Sequence, residues 1–238
     1  MIHKGRHRYR SHGGIPQTAF AHLAADLSFY LQNNRGINAG EWKDQSPNDN
    51  HVTQGIAGDQ ATVTNGGYDF ESSEADHYDF ATQIEISTQE GFAIYIVCEV
   101  ESIGTSMTIL GLNATTHFIE FLAGGDSIRM RLASTTTTIT PTTSNLFNVA
   151  AGKFLLCIER ESGATGNINL YKNGVLLSQS SQAANTGDGE FIVLGNRNAD
   201  RYFDGIIYDI GMIEANDNTR NIRDRMTAYL MSKHGLSF

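Results

Sequence analysis

The sequence is poor in residues that cross-link or stiffen a chain, and it has no long apolar run. It contains only 2 cysteines, 3 prolines and 1 tryptophan in 238 residues. No apolar stretch approaches the roughly 20 residues that a membrane-spanning helix needs. Because no apolar block follows the N-terminal charges either, we expect neither a secretory signal peptide nor a membrane partner.

The two cysteines lie in apolar, strand-like stretches. Cys98 belongs to FAIYIVCEV and Cys157 to KFLLCIER, and the sequence has no CxxC or Cys/His spacing typical of zinc sites. We predict two buried free thiols and no metal site at these positions. A disulfide between two core strands is the alternative.

Motifs of the common enzyme classes are missing too. The sequence has no Gly-x-Ser-x-Gly, no His-Glu-x-x-His, no phosphate-binding loop and no dinucleotide-binding fingerprint. We therefore predict a protein that is not an enzyme and that uses no cofactor.

The charge of the chain is unevenly distributed. The net charge is -9, yet the first 22 residues carry Lys4, Arg6, Arg8 and Arg10 and no acid. The rest holds 13 basic and 26 acidic residues, a net charge of -13. Such a basic arm is typical of a segment that docks on a negative surface, and a solvated tail is the alternative. Because the acidic body would be repelled by phosphates, no nucleic-acid partner is expected.

The hydrophobic pattern predicts an all-β fold. In FAIYIVCEV, both alternating faces are largely apolar, as in a central strand, and similar runs recur from residue 51 onward. Asn173-Gly174 between INLYK and VLLS indicates a two-residue hairpin. LSFYLQ fits a short helix or an edge strand, and STTTTITPTT (134–143) is interpreted as an exposed hairpin. These features predict an antiparallel sandwich or jelly roll.

One helix is predicted at the C-terminus, over 218–234. Ile222, Met226, Tyr229 and Leu230 form an apolar stripe at helical spacing. Asn218 or Thr219 can cap its start, and Gly235 can end it. The opposite face, which carries Arg220, Arg223 and Asp224, is expected to be solvated. The predicted organisation is therefore an extended arm over 1–22 and one domain over 23–238.

Several segments along residues 27–236 resemble the concanavalin A-like (laminin-G-like) jelly-roll superfamily. The match is closest to the branch found in bacteriophage virion proteins and some bacterial surface proteins. EWKDQSPNDN is similar to the opening Trp-x-Asp-Gln-Ser turn, although Pro47 replaces the more usual Gly, and LGNRNADRYFDGIIYDIGMIE to a strand pair with a Phe-x-Gly step. NLYKNGVLL is similar to the hairpin of this branch, and MTAYLMSKHGL to its terminal Tyr-Leu-x-x-Lys-x-Gly helix.

The resemblance implies a structural role for the polar turn. We expect Trp42 to bury its ring, and Asp44, Ser46 and Asn48 to bond local backbone in an Asx-type turn. A calcium site built from Asp44, Asn48, Asp49 and Asn50 is the alternative.

The resemblance also implies a function. Glycosidases with this fold carry Glu-x-Asp-x-x-Glu on a strand, which this sequence lacks, so a glycoside hydrolase relative is the least favoured interpretation. The first expectation is a multicopy or homo-oligomeric capsid decoration protein, located in the virion and anchored to a major capsid or other virion protein by its arm. The alternative is a carbohydrate-binding adhesion module that binds surface glycans, with Tyr68, Tyr78, Tyr202 and Phe203 as candidate sugar platforms.

Overall fold

A computed structural model describes residues 26–88, 90–133, 135–141, 147, 149–163, 166–181, 187–214 and 219–237. The predicted basic arm with Lys4, Arg6, Arg8 and Arg10 lies outside these ranges, as does Asn218, one of the two cap candidates.

The described residues form seventeen strands, two short 3-10 turns at Ala57–Asp59 and Val149–Ala151, and one helix. The strands are β1 (Phe29–Leu31), β2 (Ile37–Asn38), β3 (Glu41–Trp42), β4 (Val52–Thr53), β5 (Thr62–Thr64), β6 (Gly67–Phe70), β7 (Tyr78–Ile86), β8 (Phe92–Val100), β9 (Met107–Leu112), β10 (Ala114–Phe121), β11 (Ile128–Leu132), β12 (Thr135–Ile139), β13 (Phe154–Arg160), β14 (Asn167–Lys172), β15 (Val175–Ser181), β16 (Gly189–Leu194) and β17 (Gly205–Glu214). The helix is α1 (Thr219–His234). Among the described helices, none is long and apolar enough to cross a membrane.

The strands form two antiparallel sheets that face each other. Sheet A has the order β15-β14-β13-β8-β17-β6-β5, with β1 also paired to β17. Sheet B has the order β12-β11-β10-β9-β16-β7-β4-β3-β2. A core cluster of buried side chains from both sheets fills the space between them. The predicted antiparallel sandwich with a C-terminal helix is therefore confirmed.

Local sequence explains several of these elements. Asn173 and Gly174 both have positive φ, 47° and 78°, and they join β14 to β15 as a tight hairpin. LSFYLQ, which the pattern left open, contains an edge strand, β1. The threonine-rich stretch contributes β12, an edge strand of sheet B, in which Thr135, Thr137 and Ile139 are buried and only the alternate threonines are exposed.

The two cysteines lie on opposite faces of sheet A. Cys98 on β8 packs in the core between the sheets, whereas Cys157 on β13 packs in a second cluster beneath α1. Both are buried free thiols, as predicted, and a disulfide between them is excluded.

The second apolar cluster joins α1 to the outer face of sheet A. It contains Ile222, Met226, Leu230 and Met231 from the helix and side chains such as Tyr95 from the sheet. This is the apolar stripe predicted from the sequence, extended by Met231. Sheet A is therefore buried on both faces, which explains why β8 and β17 are apolar almost throughout.

An irregularity in β17 directs a charged residue toward the helix. The pairing register between β17 and β8 shifts between Ile207 and Asp209. Because a bulge places two successive residues on one face, Tyr208 and Asp209 both point away from the inter-sheet core, and Ile210 returns to it.

Asp209 anchors the end of α1 through a fully buried carboxylate. Lys233 Nζ donates to both carboxylate oxygens at 2.9 Å, and His234 Nε2 contacts Oδ2. The Tyr30 hydroxyl donates to Oδ1 at 2.5 Å, and the Asn33 amide donates to the same oxygen at 3.2 Å. One carboxylate thus joins β1, β17 and the last turn of α1.

The polar face of α1 is not solvated throughout, so that expectation is wrong at Arg223. The Arg223 side chain is only 11% exposed, and its Nη1 donates to Glu159 at 2.8 Å and to the Tyr171 hydroxyl at 2.6 Å. Its guanidinium also lies 4.6 Å from the centre of the Tyr171 ring. Asp224, beside it, is 64% exposed, as expected of a solvated face.

We predict that Asp209→Ala lowers the free energy of unfolding by about 3 kcal/mol, because it leaves the largely buried Lys233 ammonium without its counter-charge. Urea unfolding followed by the fluorescence of Trp42 measures this change. Asp224→Ala, which removes an exposed partner of Arg223, is the control and should cost less than about 1 kcal/mol. Equal effects of the two substitutions would contradict the anchoring role of Asp209.

Candidate functional site

The polar turn after β3 is held by side chains that point inward. Trp42 is fully buried, its Nε1 donates to the Gln32 carbonyl at 3.0 Å, and its ring meets the Tyr68 ring edge-on at 5.1 Å. The indole therefore fixes the start of the turn to the core.

Asp44 organises the rest of this turn. Its Oδ1 accepts from the Tyr30 amide at 2.7 Å and the Ser46 amide at 2.8 Å. Its Oδ2 accepts from the Ser46 hydroxyl at 2.6 Å and the Asn50 amide at 2.8 Å. Four donors on one buried carboxylate connect the turn internally and also tie it to β1.

Two asparagines complete the link between the turn and β1. Asn48 Nδ2 donates to the carbonyls of Leu27 and Ser28 at 3.0 and 3.1 Å. Asn50 Nδ2 also donates to the Ser28 carbonyl, at 3.1 Å. A calcium site would need the Asp44 oxygens as ligands, and these are surrounded by N–H and O–H donors instead. The arrangement therefore favours the structural turn over a calcium loop.

Most of the predicted sugar platform is buried. Tyr68 and Tyr78 are fully buried and stack on each other at 4.2 Å, and their hydroxyls donate to the carbonyls of Asn38 and Ala39. Phe203 is also fully buried. The prediction that these rings are exposed platforms is wrong, because they form the aromatic core between the sheets. Tyr202 is half-buried beside His77.

A surface cleft lies where the turn meets β7. In the middle of β7, Ala81, Thr82 and Gln83 are exposed in succession, which breaks the alternation of the strand. The cause is a register shift: β7 advances from Asp79 to Ile84 while β16 advances only from Val193 to Phe191. Such an irregularity redirects side chains.

The cleft consists of two adjoining cavities, of about 430 and 160 Å³, which share Gln83 and Glu85. We name it the β7 cleft. Its lining is almost entirely polar. Its walls are formed by residues 28, 48 and 50 of the turn region, 82–85 and 87 of β7 and its end, 188–190 at the start of β16, and 214 at the end of β17.

The electrostatics of the β7 cleft are acidic. Glu85 on β7 and Glu190 on β16 are direct cross-strand partners, so two like charges stand opposite each other. Burial raises the pKa of Glu214, and the nearby carboxylates of Glu90 and Glu85 raise it further. Asp188, in contrast, accepts from the hydroxyl and amide of Thr88, which lower its pKa.

A separate group of carboxylates lies at the end of sheet A where β17 begins, opposite to the end that carries Glu214. Oxygens of Asp69, Glu71 and Glu101 lie within 4.8 Å of one another. Burial raises the pKa of all three groups, and neighbouring carboxylates, including Asp204, raise it further; the Thr64 hydroxyl partly offsets this at Asp69. These three residues could hold a cation, but clustered acids alone do not make a metal site.

Arginines form a third polar surface, on the outer face of sheet B. Arg129 and Arg197 pair with the fully buried Glu120, and the Arg197 guanidinium lies 4.0 Å from the centre of the Phe118 ring. Loop 195–204 crosses the sheet here and passes directly over Gly111. A side chain at this position would clash with the loop, because a Cβ added to Gly111 would lie 2.2 Å from the Asn196 carbonyl oxygen. We name this surface, formed by Arg129, Arg131, Arg197 and Arg201, the arginine face.

Sequence reasoning found the turn residues of the cleft but missed its other walls. Thr82, Gln83, Glu85, Glu190 and Glu214 carry no motif. The interrupted alternation in YDFATQIEI was the available local signal.

No protein-family model matches the chain, and no curated protein is similar to it in sequence. Solved structures do share its fold. The binding domain of Paraclostridial Mosquitocidal Protein 1 superposes with a TM-score of 0.57 at 17% identity, over 85% of this chain and 53% of that one. The binding domain of botulinum neurotoxin serotype D gives 0.54 at 16% identity, over 87% and 53%.

A third structure concerns cell entry of botulinum neurotoxin type C through interaction with two ganglioside molecules. It gives a TM-score of 0.51 at 14% identity, over 87% of this chain and 53% of that one. This chain thus spans about half the length of the toxin chains that it matches. At such low identity the comparison shows the fold, a β-sandwich found in binding domains.

We predict that Asp69→Asn stabilises the protein at pH 7. Because its folded-state pKa is raised, the ionised Asp69 costs stability above the unfolded-state value of about 4, and this cost disappears as the pH falls below that value. Thermal unfolding in EDTA should give a higher midpoint for the variant at pH 7 and no difference below about pH 4. Asp79→Asn, an exposed position outside the group, is the control. A lower midpoint for Asp69→Asn at pH 7 would contradict net repulsion.

Proposed function

We propose that this chain is a non-enzymatic glycan-binding module that takes an oligosaccharide in the β7 cleft. The observation that carries the proposal is the cleft itself, whose walls present amide, hydroxyl and carboxylate groups on a sandwich. Its larger cavity, of about 430 Å³, falls within the range of roughly 300–1,000 Å³ for small-molecule sites.

The chemistry of the walls suits a sugar. A sugar ring presents several hydroxyls that both donate and accept hydrogen bonds, so it needs polar partners from more than one direction. Asn48 and Asn50 face it from the turn, Gln83 and Glu85 from β7, and Glu214 from β17. Because Asp44 and the strand registers fix these elements, little ordering cost remains for binding.

The solved structures support a binding role. Two of those described above are binding domains, and gangliosides are named as the interaction partner of the type C toxin. Another, of the botulinum neurotoxin DC binding domain, is a complex with rat synaptotagmin II. Since this chain spans about half of each, these partners are not carried over, and the support extends only to binding as the class of function.

We predict that Glu85→Ala and Gln83→Ala each weaken glycan binding about tenfold. Each substitution removes a hydrogen bond to the glycan, and the bond that Glu85 makes involves a carboxylate. A glycan array probed with the full chain identifies the ligand, and titration calorimetry then measures the affinities. Glu74→Ala, an exposed glutamate that does not line the cleft, is the matched control and should leave affinity unchanged. Absence of any glycan ligand, binding that ignores both cleft variants, or hydrolysis of the glycan would contradict the proposal.

The arm supports a second proposal, which is compatible with the first. A multicopy capsid decoration protein in the virion would use Lys4, Arg6, Arg8 and Arg10 to pair with acidic groups of a major capsid or other virion protein. This proposal rests on the charge contrast between arm and body and on the resemblance to virion jelly rolls. Deleting residues 1–14 should abolish incorporation into particles while the domain stays folded, and retained incorporation would contradict it.

A further inference from the structure

We infer that the β7 cleft prefers oligosaccharides built from amino sugars with free, protonated amines, and that it rejects glycans carrying carboxylate or sulfate groups. This inference rests on the proposed function and specifies the ligand class of the same site.

The first observation is the charge of the lining. Four carboxylates line the β7 cleft, from Glu85, Asp188, Glu190 and Glu214, and no lysine, arginine or histidine stands among the described residues of its walls. A carboxylated or sulfated sugar would therefore enter a site of its own sign, in a body that is itself acidic. A sugar with protonated amines would be attracted.

The second observation is the pair of like charges across β7 and β16. Like charges directly opposite each other destabilise a sheet, and Glu85 and Glu190 occupy such positions. Among the described lining residues no cationic side chain neutralises them, and Gln83 Nε2 supplies Glu85 with only a neutral donor, at 3.2 Å. An ammonium group of a ligand would relieve this repulsion, and its contribution to affinity would include that relief.

The third observation is the direction of the amides. The side-chain nitrogens of Asn48 and Asn50 donate to backbone carbonyls of Leu27 and Ser28, so the amide oxygens are what these residues have left to offer. The Asn50 side chain is only 8% exposed, yet its Oδ1 accepts no hydrogen bond. A buried acceptor without a partner is unusual, and a small shift of the cleft wall would open it to a bound donor.

Taken together, the walls are rich in acceptors because of their four carboxylates, while the hydroxyls of Ser28, Thr82 and Ser87 and the Gln83 amide can also donate. This composition suits a ligand rich in N–H and O–H groups. A bare metal ion fits less well. Ions such as calcium need several oxygens converging on one point. Among the described residues, one group of potential metal ligands is close enough together to meet this need. It consists of Asp69, Glu71 and Glu101, which lie away from the cleft. No three of the four cleft carboxylates bring their oxygens within 4.8 Å of one another.

The test compares sugar oligomers that differ in charge. Titration of the full chain with a glucosamine hexamer at about pH 6, below the pKa of an ordinary amino group, is compared with titration with its fully N-acetylated counterpart and with a uronic acid oligomer. We expect the glucosamine hexamer to bind at least about tenfold more tightly than the N-acetylated one at low salt, with the advantage shrinking as salt rises. The uronic acid oligomer should bind more weakly than both.

Charge-neutralising variants assign the preference to the cleft. Glu85→Gln and Glu190→Gln should each reduce the advantage of the glucosamine hexamer several-fold, while binding of the N-acetylated hexamer persists. Glu74→Gln, the same change outside the cleft, should leave the advantage intact. Spermine, a polyamine without a sugar ring, should bind more weakly than the hexamer.

The outcomes separate the inference from the proposed function. Equal or tighter binding of N-acetylated or acidic oligomers in the cleft would overturn the charge preference and leave glycan binding in place. Acidic oligomers that respond to Arg131→Ala but not to Glu85→Gln would place binding on the arginine face and would also overturn the inference. If spermine bound as tightly as the glucosamine hexamer, the preference would reflect general attraction between amines and carboxylates. That result would overturn the inference that the cleft recognises amino sugars. Failure of every oligomer and every array glycan would remove the proposed function as well.

Discussion

The Asp44 carboxylate is the constraint on which the site depends. It satisfies the amides of Tyr30, Ser46 and Asn50, three groups from two separate segments of chain. A buried carboxylate is costly unless donors surround it, and here the Ser46 hydroxyl provides a fourth. The turn therefore has one conformation in which these groups are satisfied, and that conformation places Asn48 and Asn50 against β1.

The two faces of the sandwich acquire different roles from this arrangement. Sheet A is closed on its outer side by α1, which the buried Asp209 attaches to β1 and β17. Sheet B has no helix over its outer face among the described residues, so its irregularities remain at the surface. The interrupted register of β7 lies next to the turn that Asp44 holds, and together they form the β7 cleft. The cleft therefore lies where the exposed part of β7 meets the turn, beside the end of β17.

Sequence reasoning captured the features that depend on near neighbours. Alternation predicted β8, the Asn173-Gly174 pair predicted its hairpin, and the stripe from Ile222 to Leu230 predicted α1. Features set by distant pairing were not predictable. Nothing in GIIYDIGMIE reveals that a bulge turns Asp209 toward the helix, and Tyr68 has the same local pattern whether it is buried or exposed. Glu85 and Glu190 become neighbours only through the register of two strands that are more than a hundred residues apart in sequence.

Hydrogen exchange at three backbone amides tests the central claim most directly. If one carboxylate holds the turn, the amides of Tyr30, Ser46 and Asn50 are protected in the native protein. In Asp44→Asn all three should then exchange faster together, while the Leu170 amide in β14 keeps its protection. Native amides that exchange at unprotected rates, or an Asp44→Asn variant that keeps all three protected, would contradict the account.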